Sequence, residues 1–199
     1  MAEIVDNFLP IGDFQQFAHA AMTASFYVPC DFSTYESESD GSISCFGEGG
    51  ATETKLNELM FQMTILRRLK KQNRCVVNDF YFEHFQAIDC IREFLNVRRF
   101  YNIRVGCTPV QTTRYIEDWH VDQYDYGTEH CKTALLYLNT NNGGTAFKDG
   151  NTFVQSKANR LVKFPVNTPH AVVSSTDTKL RYVLNINYDE LDSERINYE

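Results

Sequence analysis

From residue 101 onward the pattern turns to short strand-like segments, the last of which alternates its two faces residue by residue. They cover 103–105, 112–120, 132–139, 151–154, 161–164, 171–174 and 181–188, each bounded by Asn, Gly, Pro or Asp. A period of two belongs to a strand with one buried face, and the bounding residues are those of turns. Many short strands in a row, with helical patterns only upstream, predict a mainly β (α+β) architecture: a double-stranded β-helix, or jelly roll, with N-terminal helices packed on one sheet. No repeat or low-complexity stretch interrupts the 199 residues, which are enough for one real core. The expected organisation is a single domain over 1–199, with a helical support region at 1–99 and the β-helix core at 100–190.

The upstream half carries different signals. Residues 4–10 read as a short strand ending at Pro10. Asp13 reads as a helix N-cap with Gln16 three residues on, and Phe14, Phe17 and Ala21 give that helix one apolar face. Residues 30–54 follow neither period, and a stretch of this length is either a lid or a surface insertion. A long helix is expected over 53–71, because Leu56, Leu59, Met60, Met63, Leu66 and Leu69 keep a three-to-four spacing, with Arg67, Arg68, Lys70 and Lys71 solvated at its C-terminus. A second helix is expected over 82–96 on Phe85, Ile88, Ile91 and Leu95. His19 and His84 lie in helical segments and read as surface or packing histidines.

The chemistry concentrates downstream. His120 and Asp122 stand two apart, so on a strand they reach one ion together while Val121 points away. His170, after Pro169, would complete the set from an opposing strand. Two histidines and one carboxylate form the facial triad that holds non-haem Fe(II) and leaves positions open. His130, in the intervening loop, is expected not to be a ligand. On the last strand Leu180, Tyr182, Leu184, Ile186 and Tyr188 share one face, while Arg181, Val183, Asn185 and Asn187 share the other. If the first face packs on helices, Arg181 points into the barrel. A buried guanidinium needs an anion, either a ligand carboxylate held by its planar fork or an acid of the protein itself.

Five stretches occur in a recognisable order: Thr133 to Asn139, Asn142-Gly143-Gly144-Thr145-Ala146-Phe147, Asn159 to Phe164, Pro169-His170-Ala171-Val172, and Arg181-Tyr182-Val183. Over about residues 100–190 the chain resembles the 2-oxoglutarate/Fe(II)-dependent dioxygenases, most of all their prolyl-4-hydroxylase-like branch. The resemblance implies that Fe(II) is held by His120, Asp122 and His170. It further implies that 2-oxoglutarate is the co-substrate, its far carboxylate held by Arg181 and Tyr137. Dioxygen is consumed, succinate and CO2 are released, and ascorbate is a candidate reductant. Glu117 stands where an upstream polar contact of the family would be, which leaves Tyr115 as its replacement. Asp122, absent from halogenating relatives, implies hydroxylation. The implied substrate is a small molecule or peptide, in particular a peptidyl or free amino acid such as proline.

Charge and composition limit the alternatives. The net charge is −7, which disfavours a phosphate backbone as partner, so nucleic acid is not expected. No apolar run approaches a membrane span. Six cysteines without a C-x-x-C pair, and no recognisable signal peptide, are expected to be reduced thiols in a cytoplasmic protein. There is no G-x-S-x-G and no phosphate loop, and Gly143-Gly144 reads as a hairpin turn. Two other readings stay open: a metal-dependent jelly-roll enzyme that does not use 2-oxoglutarate, and a non-catalytic jelly-roll binding protein. The sequence is silent on oligomeric state.

Overall fold

The computed structural model describes residues 2–25, 28–30, 60–69, 74–122, 131–150 and 152–191. The elements are β1 (Glu3–Val5), α1 (Ile11–Thr23), β2 (Val28–Cys30), β3 (Met60–Leu69), β4 (Arg74–Val77), α2 (Asp79–Glu83), α3 (Phe85–Phe94) and β5 (Val97–Pro109). They continue with β6 (Cys131–Tyr137), β7 (Gly144–Phe147), β8 (Thr152–Gln155), β9 (Arg160–Pro165), β10 (His170–Val173) and β11 (Leu180–Glu190). Two antiparallel sheets form. The larger has the order β1-β9-β6-β11-β5-β3-β2 with β4 added on β3, and the smaller has the order β10-β7-β8. The segment between β5 and Asp122 continues the smaller sheet through isolated bridges, Ile116 to Val173 and His120 to His170. This is the expected jelly roll.

The alternation on β11 places the chemistry. Leu184, Ile186 and Tyr188 join Ala134, Leu136 and Leu161 in one core cluster with Phe14, Phe17 and Ala18 of α1 and Ile88 and Ile91 of α3. Val183 joins Leu135, Tyr137, Val162 and Phe164 in a second cluster, together with Phe147 and Val154 of the smaller sheet. The larger sheet therefore separates a helix-backed core from the space between the sheets. Arg181, Asn185 and Asn187 face that inner space, as the parity of β11 predicts.

The upstream expectations hold less well. The helix read over 53–71 is, in its described part, the strand β3. Its misleading spacing has a local cause: a register shift between Thr64 and Leu66 puts Met63 and Leu66, three apart, opposite Val105 and Ile103 on β5. A bulge thus imitates a helical stripe. Arg67 and Arg68 are accordingly strand residues paired with β4, not a helix C-terminus. Among its described residues the upstream region contains β1 to β4 and the start of β5 as well as three helices, so it is not wholly helical.

The helix read over 82–96 exists as α2 and α3, broken at His84. Its stripe buries Ile88, Ile91 and Leu95, but Phe85 is 50% exposed. His84 packs against Phe80 at 4.2 Å, a structural role as expected. Helix α1 starts at Ile11 with Pro10 as its cap, so Asp13 lies in the first turn instead of capping it. Gly143-Gly144 is not a hairpin turn either, because β6 and β7 belong to different sheets and the connection crosses between them. Apart from Cys30 at the end of β2, the loop read at 30–54 lies outside the described residues, as does 123–130 with His130. Cys75, Cys90 and Cys107 are free thiols. Among the described residues no helix is long and apolar enough to cross a membrane.

Candidate active site

His120, Asp122 and His170 converge at one end of the inner space. Each offers one ligand atom, and those atoms all lie within 4.8 Å of one another. Backbone pairing brings them there. The N–H of His120 donates to the carbonyl of His170 at 2.9 Å, and the N–H of His170 returns the bond at 2.9 Å. Two residues on, the N–H of Asp122 donates to Val166 at 3.1 Å and fixes the carboxylate's approach.

Both imidazoles are oriented from behind. His170 Nδ1 lies 2.9 Å from the Thr168 carbonyl and His120 Nδ1 3.3 Å from that of Asp118. A carbonyl accepts only, so each Nδ1 carries its proton and each Nε2 keeps a free lone pair, the tautomer a metal needs. Burial pushes the His120 pKa below its ordinary value, and the neighbouring His170 adds to the effect.

Asp122 is held with unequal oxygens. Oδ2 accepts from Thr133 Oγ1 at 2.7 Å, Asn187 Nδ2 at 3.0 Å and, at longer range, Asn185 Nδ2 at 3.4 Å. Asn187 Nδ2 also reaches Thr133 Oγ1 at 3.0 Å, which ties the three residues together. Among the described residues Oδ1 meets only Arg104 Nη2, at 3.9 Å, and is left to bind. Burial raises the pKa of this carboxyl, but His170, Arg104, His120 and the Thr133 hydroxyl outweigh it and hold it at about 2. The site thus presents two imidazole nitrogens and one carboxylate oxygen, with no fourth candidate ligand from the described residues. That donor set and its open remainder fit non-haem Fe(II).

Arg181 and Tyr137 lie farther along the same inner face. Arg181 is 4% exposed. Its Nε donates to Ser156 Oγ at 3.1 Å and its Nη2 to the Gly144 carbonyl at 3.0 Å, and its guanidinium lies 5.7 Å from the Tyr137 ring centre. No ion pair joins it to a carboxylate among the described residues. Burial accordingly lowers its pKa, opposed by Tyr137 and, at longer range, Glu117. Tyr137 is fully buried, with its pKa raised by burial, and its hydroxyl donates to Thr145 Oγ1 at 2.8 Å. Opposite Arg181 on β5 stands Thr108, whose buried hydroxyl has no partner. Tyr115 meets Ser174 through its backbone, the N–H donating to Ser174 Oγ at 2.9 Å.

The sequence reading missed Thr133 and Arg104, and saw Asn185 and Asn187 only as residues sharing the Arg181 face. Strand parity was the available signal for all four. What it lacked was the pairing register, which sets Asn187 beside Thr133 and Asn185 beside Arg104.

No family model matches the chain, and no curated protein matches its sequence. Solved structures do match in fold. A prolyl-4-hydroxylase of Pseudomonas putida aligns at a TM-score of 0.57 and 17% identity, over 96% of this chain and 93% of that one. An oxidoreductase of the 2OG-Fe(II) oxygenase family from Burkholderia pseudomallei aligns at 0.63 and 8%, over 96% and 86%. The non-heme alpha ketoglutarate dependent epimerase SnoN from nogalamycin biosynthesis aligns at 0.58 and 12%, over 95% and 78%. At these identities the likeness is one of fold: this chain has the fold of the 2OG-Fe(II) oxygenases and prolyl hydroxylases.

Proposed function

We propose that this chain is an Fe(II)/2-oxoglutarate-dependent oxygenase that hydroxylates a peptidyl or free amino acid such as proline, with release of succinate and CO2. The observation that carries the reading is Arg181. A guanidinium buried between two sheets without a carboxylate partner among the described residues is costly unless a ligand provides the anion. A jelly-roll enzyme without 2-oxoglutarate, or a metal-free binding protein, has no use for that cation beside a triad of metal-ligand type.

Each residue then has a definite task. His120 and His170 would hold the metal through Nε2, and Asp122 through Oδ1. Thr133, Asn187 and Asn185 keep the Asp122 carboxylate turned, and the two backbone carbonyls keep the imidazoles turned. Arg181 would hold the far carboxylate of 2-oxoglutarate by charge-assisted hydrogen bonds, joined by the Tyr137 hydroxyl, which burial keeps protonated. Leu135, Val162, Phe164 and Val183 wall the space with apolar surface and exclude water from it. Bound iron and 2-oxoglutarate supply the activation of dioxygen, with ascorbate as reductant. A reducing, cytoplasmic setting suits the free thiols.

The test is spectroscopic and then chemical. Anaerobic Fe(II) plus 2-oxoglutarate should give a weak visible charge-transfer band. Substrate-dependent succinate release should then be measured across proline peptides, free amino acids and nucleobases. Absence of the band at saturating Fe(II) and 2-oxoglutarate would sink the reading.

A further inference from the structure

The inner face of β5 carries a second cation that neither the metal nor 2-oxoglutarate uses. Arg104 pairs across the sheet with Asn185 on β11 and Thr64 on β3, so the three share one row of the inner face. Its side chain is 18% exposed, and its one charged neighbour among the described residues is Asp122, at 3.9 Å. Asp122 is a poor counter-ion for it. Oδ2 is occupied by Thr133 and Asn187, and Oδ1 is the oxygen left for the metal. Beside Arg104, Asn185 gives an amide N–H to Asp122, while its buried Oδ1 has no hydrogen-bond partner among the described residues. A cation and an unused acceptor therefore stand on adjacent strands, about 5 Å apart at the backbone. They lie next to the carboxylate that marks the reaction centre.

The charges of the loaded site point the same way. Fe(II), Asp122, the two carboxylates of 2-oxoglutarate and Arg181 together sum to neutral. Arg104 then has no anion of its own to pair with in a largely enclosed space, and a substrate carboxylate beside it would supply one. On β3, β5 and β11 this row and the next are polar: Thr64 stands beside Arg104, with Asn102 and Asn187 one row on, while Leu135 and Val162 continue the row with apolar surface on β6 and β9.

We propose that Arg104 is a substrate-recognition residue that binds a carboxylate on the substrate, with Asn185 Oδ1 accepting from an adjacent N–H. This rests on the oxygenase reading above and narrows it. The substrate is a free α-amino acid, or a small acid bearing an amine beside its carboxylate, in preference to a residue inside a peptide. Arg104 supplies the carboxylate with donors in a planar fork, and Asn185 supplies the acceptor that an ammonium or secondary amine needs.

The probes are free L-amino acids, each with its C-terminal amide and its N-acetyl derivative, and proline-containing dipeptides. They are titrated anaerobically into wild type, Arg104→Met and Arg104→Lys loaded with Fe(II) and 2-oxoglutarate, with binding read calorimetrically and by the shift of the charge-transfer band. At least one free amino acid should bind wild type roughly tenfold or more tightly than its amide, the size of one charged hydrogen-bonding partner. That ratio should fall to near unity in Arg104→Met and survive in part in Arg104→Lys, while 2-oxoglutarate affinity and the melting temperature stay near wild type. An amide that binds as well as its acid overturns the proposal. So does an acid preference that Arg104→Met leaves unchanged, or a panel in which only the dipeptides bind, or none of the probes. Failure of the band to form with 2-oxoglutarate alone is a separate outcome and strikes the oxygenase reading itself.

Discussion

His120 and His170 hold each other by their backbones, each donating its N–H to the other's carbonyl at 2.9 Å, and their rings stand 4.4 Å apart between centres. The separation of the two nitrogen ligands is thus set by sheet pairing before any metal arrives. His120→Ala, Asp122→Ala and His170→Ala should each abolish tight Fe(II) binding and turnover while the fold persists, because none of them removes a backbone bond. Metal content after dialysis and far-ultraviolet circular dichroism check this. A variant that keeps stoichiometric iron would show that its residue is not a ligand.

Asn187 touches the proposed ligand Asp122 directly and again through Thr133. Loss of such an orienting partner costs about 10- to 100-fold in metal affinity or activity. Asn187→Leu should therefore weaken Fe(II) binding by about that factor, with 2-oxoglutarate affinity at saturating iron near wild type. An unchanged Fe(II) titration would reduce Asn187 to packing.

Arg181→Met separates ligand binding from stability. Losing a charged hydrogen-bonding partner costs about 1.5–3 kcal/mol, so 2-oxoglutarate binding should weaken roughly 10- to 150-fold. Tyr137→Phe should cost about 0.5–1.5 kcal/mol. Breaking a buried protein ion pair would destabilise the fold by about 3–5 kcal/mol, whereas removing an unpaired buried charge should leave the ligand-free protein within about 1 kcal/mol of wild type. Denaturation with and without 2-oxoglutarate distinguishes the two cases.

Acid should destabilise the metal-free protein in two stages. In the folded chain His120 has a pKa below its ordinary 6.5, so the unfolded chain takes up that proton first. Its contribution is present above about pH 6.5 and is lost as the pH falls through the lower folded value. Asp122, held at about 2 against an ordinary 3.8, contributes above pH 3.8, and this is lost as the pH falls towards 2. His120→Phe should flatten the upper stage of a stability-against-pH curve and shrink the lower one in part, since His120 is one of the groups that hold Asp122 down.

Gly144 is required by closeness. A Cβ there would meet the Val154 carbonyl at 2.1 Å and the Phe153 ring at 2.7 Å. Gly144→Ala should cost about 1–3 kcal/mol by overpacking and, since the Gly144 carbonyl holds Arg181, should weaken 2-oxoglutarate binding as well. Gly12→Ala, with nothing within 4 Å of the new carbon, should be neutral or stabilising in the same melting assay.

What was legible in the sequence follows the directness of the signal. The β11 parity, the His-x-Asp spacing and the Pro-His step each need only the two-residue period of a strand, and the structure brings His120, Asp122 and His170 together, although 112–120 pairs through isolated bridges and forms no strand. The strand β3 was taken for a helix because its bulge lets Met63 and Leu66 share a face at a spacing of three. Thr133 and Arg104 were not picked out, since their meaning depends on which residue lies opposite, and pairing register is not written in either strand alone. The break at His84 left Phe85 in the solvent, an outcome that a count of apolar positions on an unbroken helix does not register.

On β11 the odd positions Arg181, Asn185 and Asn187 carry the chemistry, and the even positions Leu184, Ile186 and Tyr188 carry the core. On β5 the assignment is reversed, with Asn102 and Arg104 inward and Ile103 and Val105 outward. One strand thus holds two interleaved texts that can be edited separately. Drift at the inward letters changes what the barrel accepts, while the outward letters keep its shape. A backbone can then be shared at identities as low as 8%, and the letters that distinguish this chain from its neighbours in shape should gather on the inward parity.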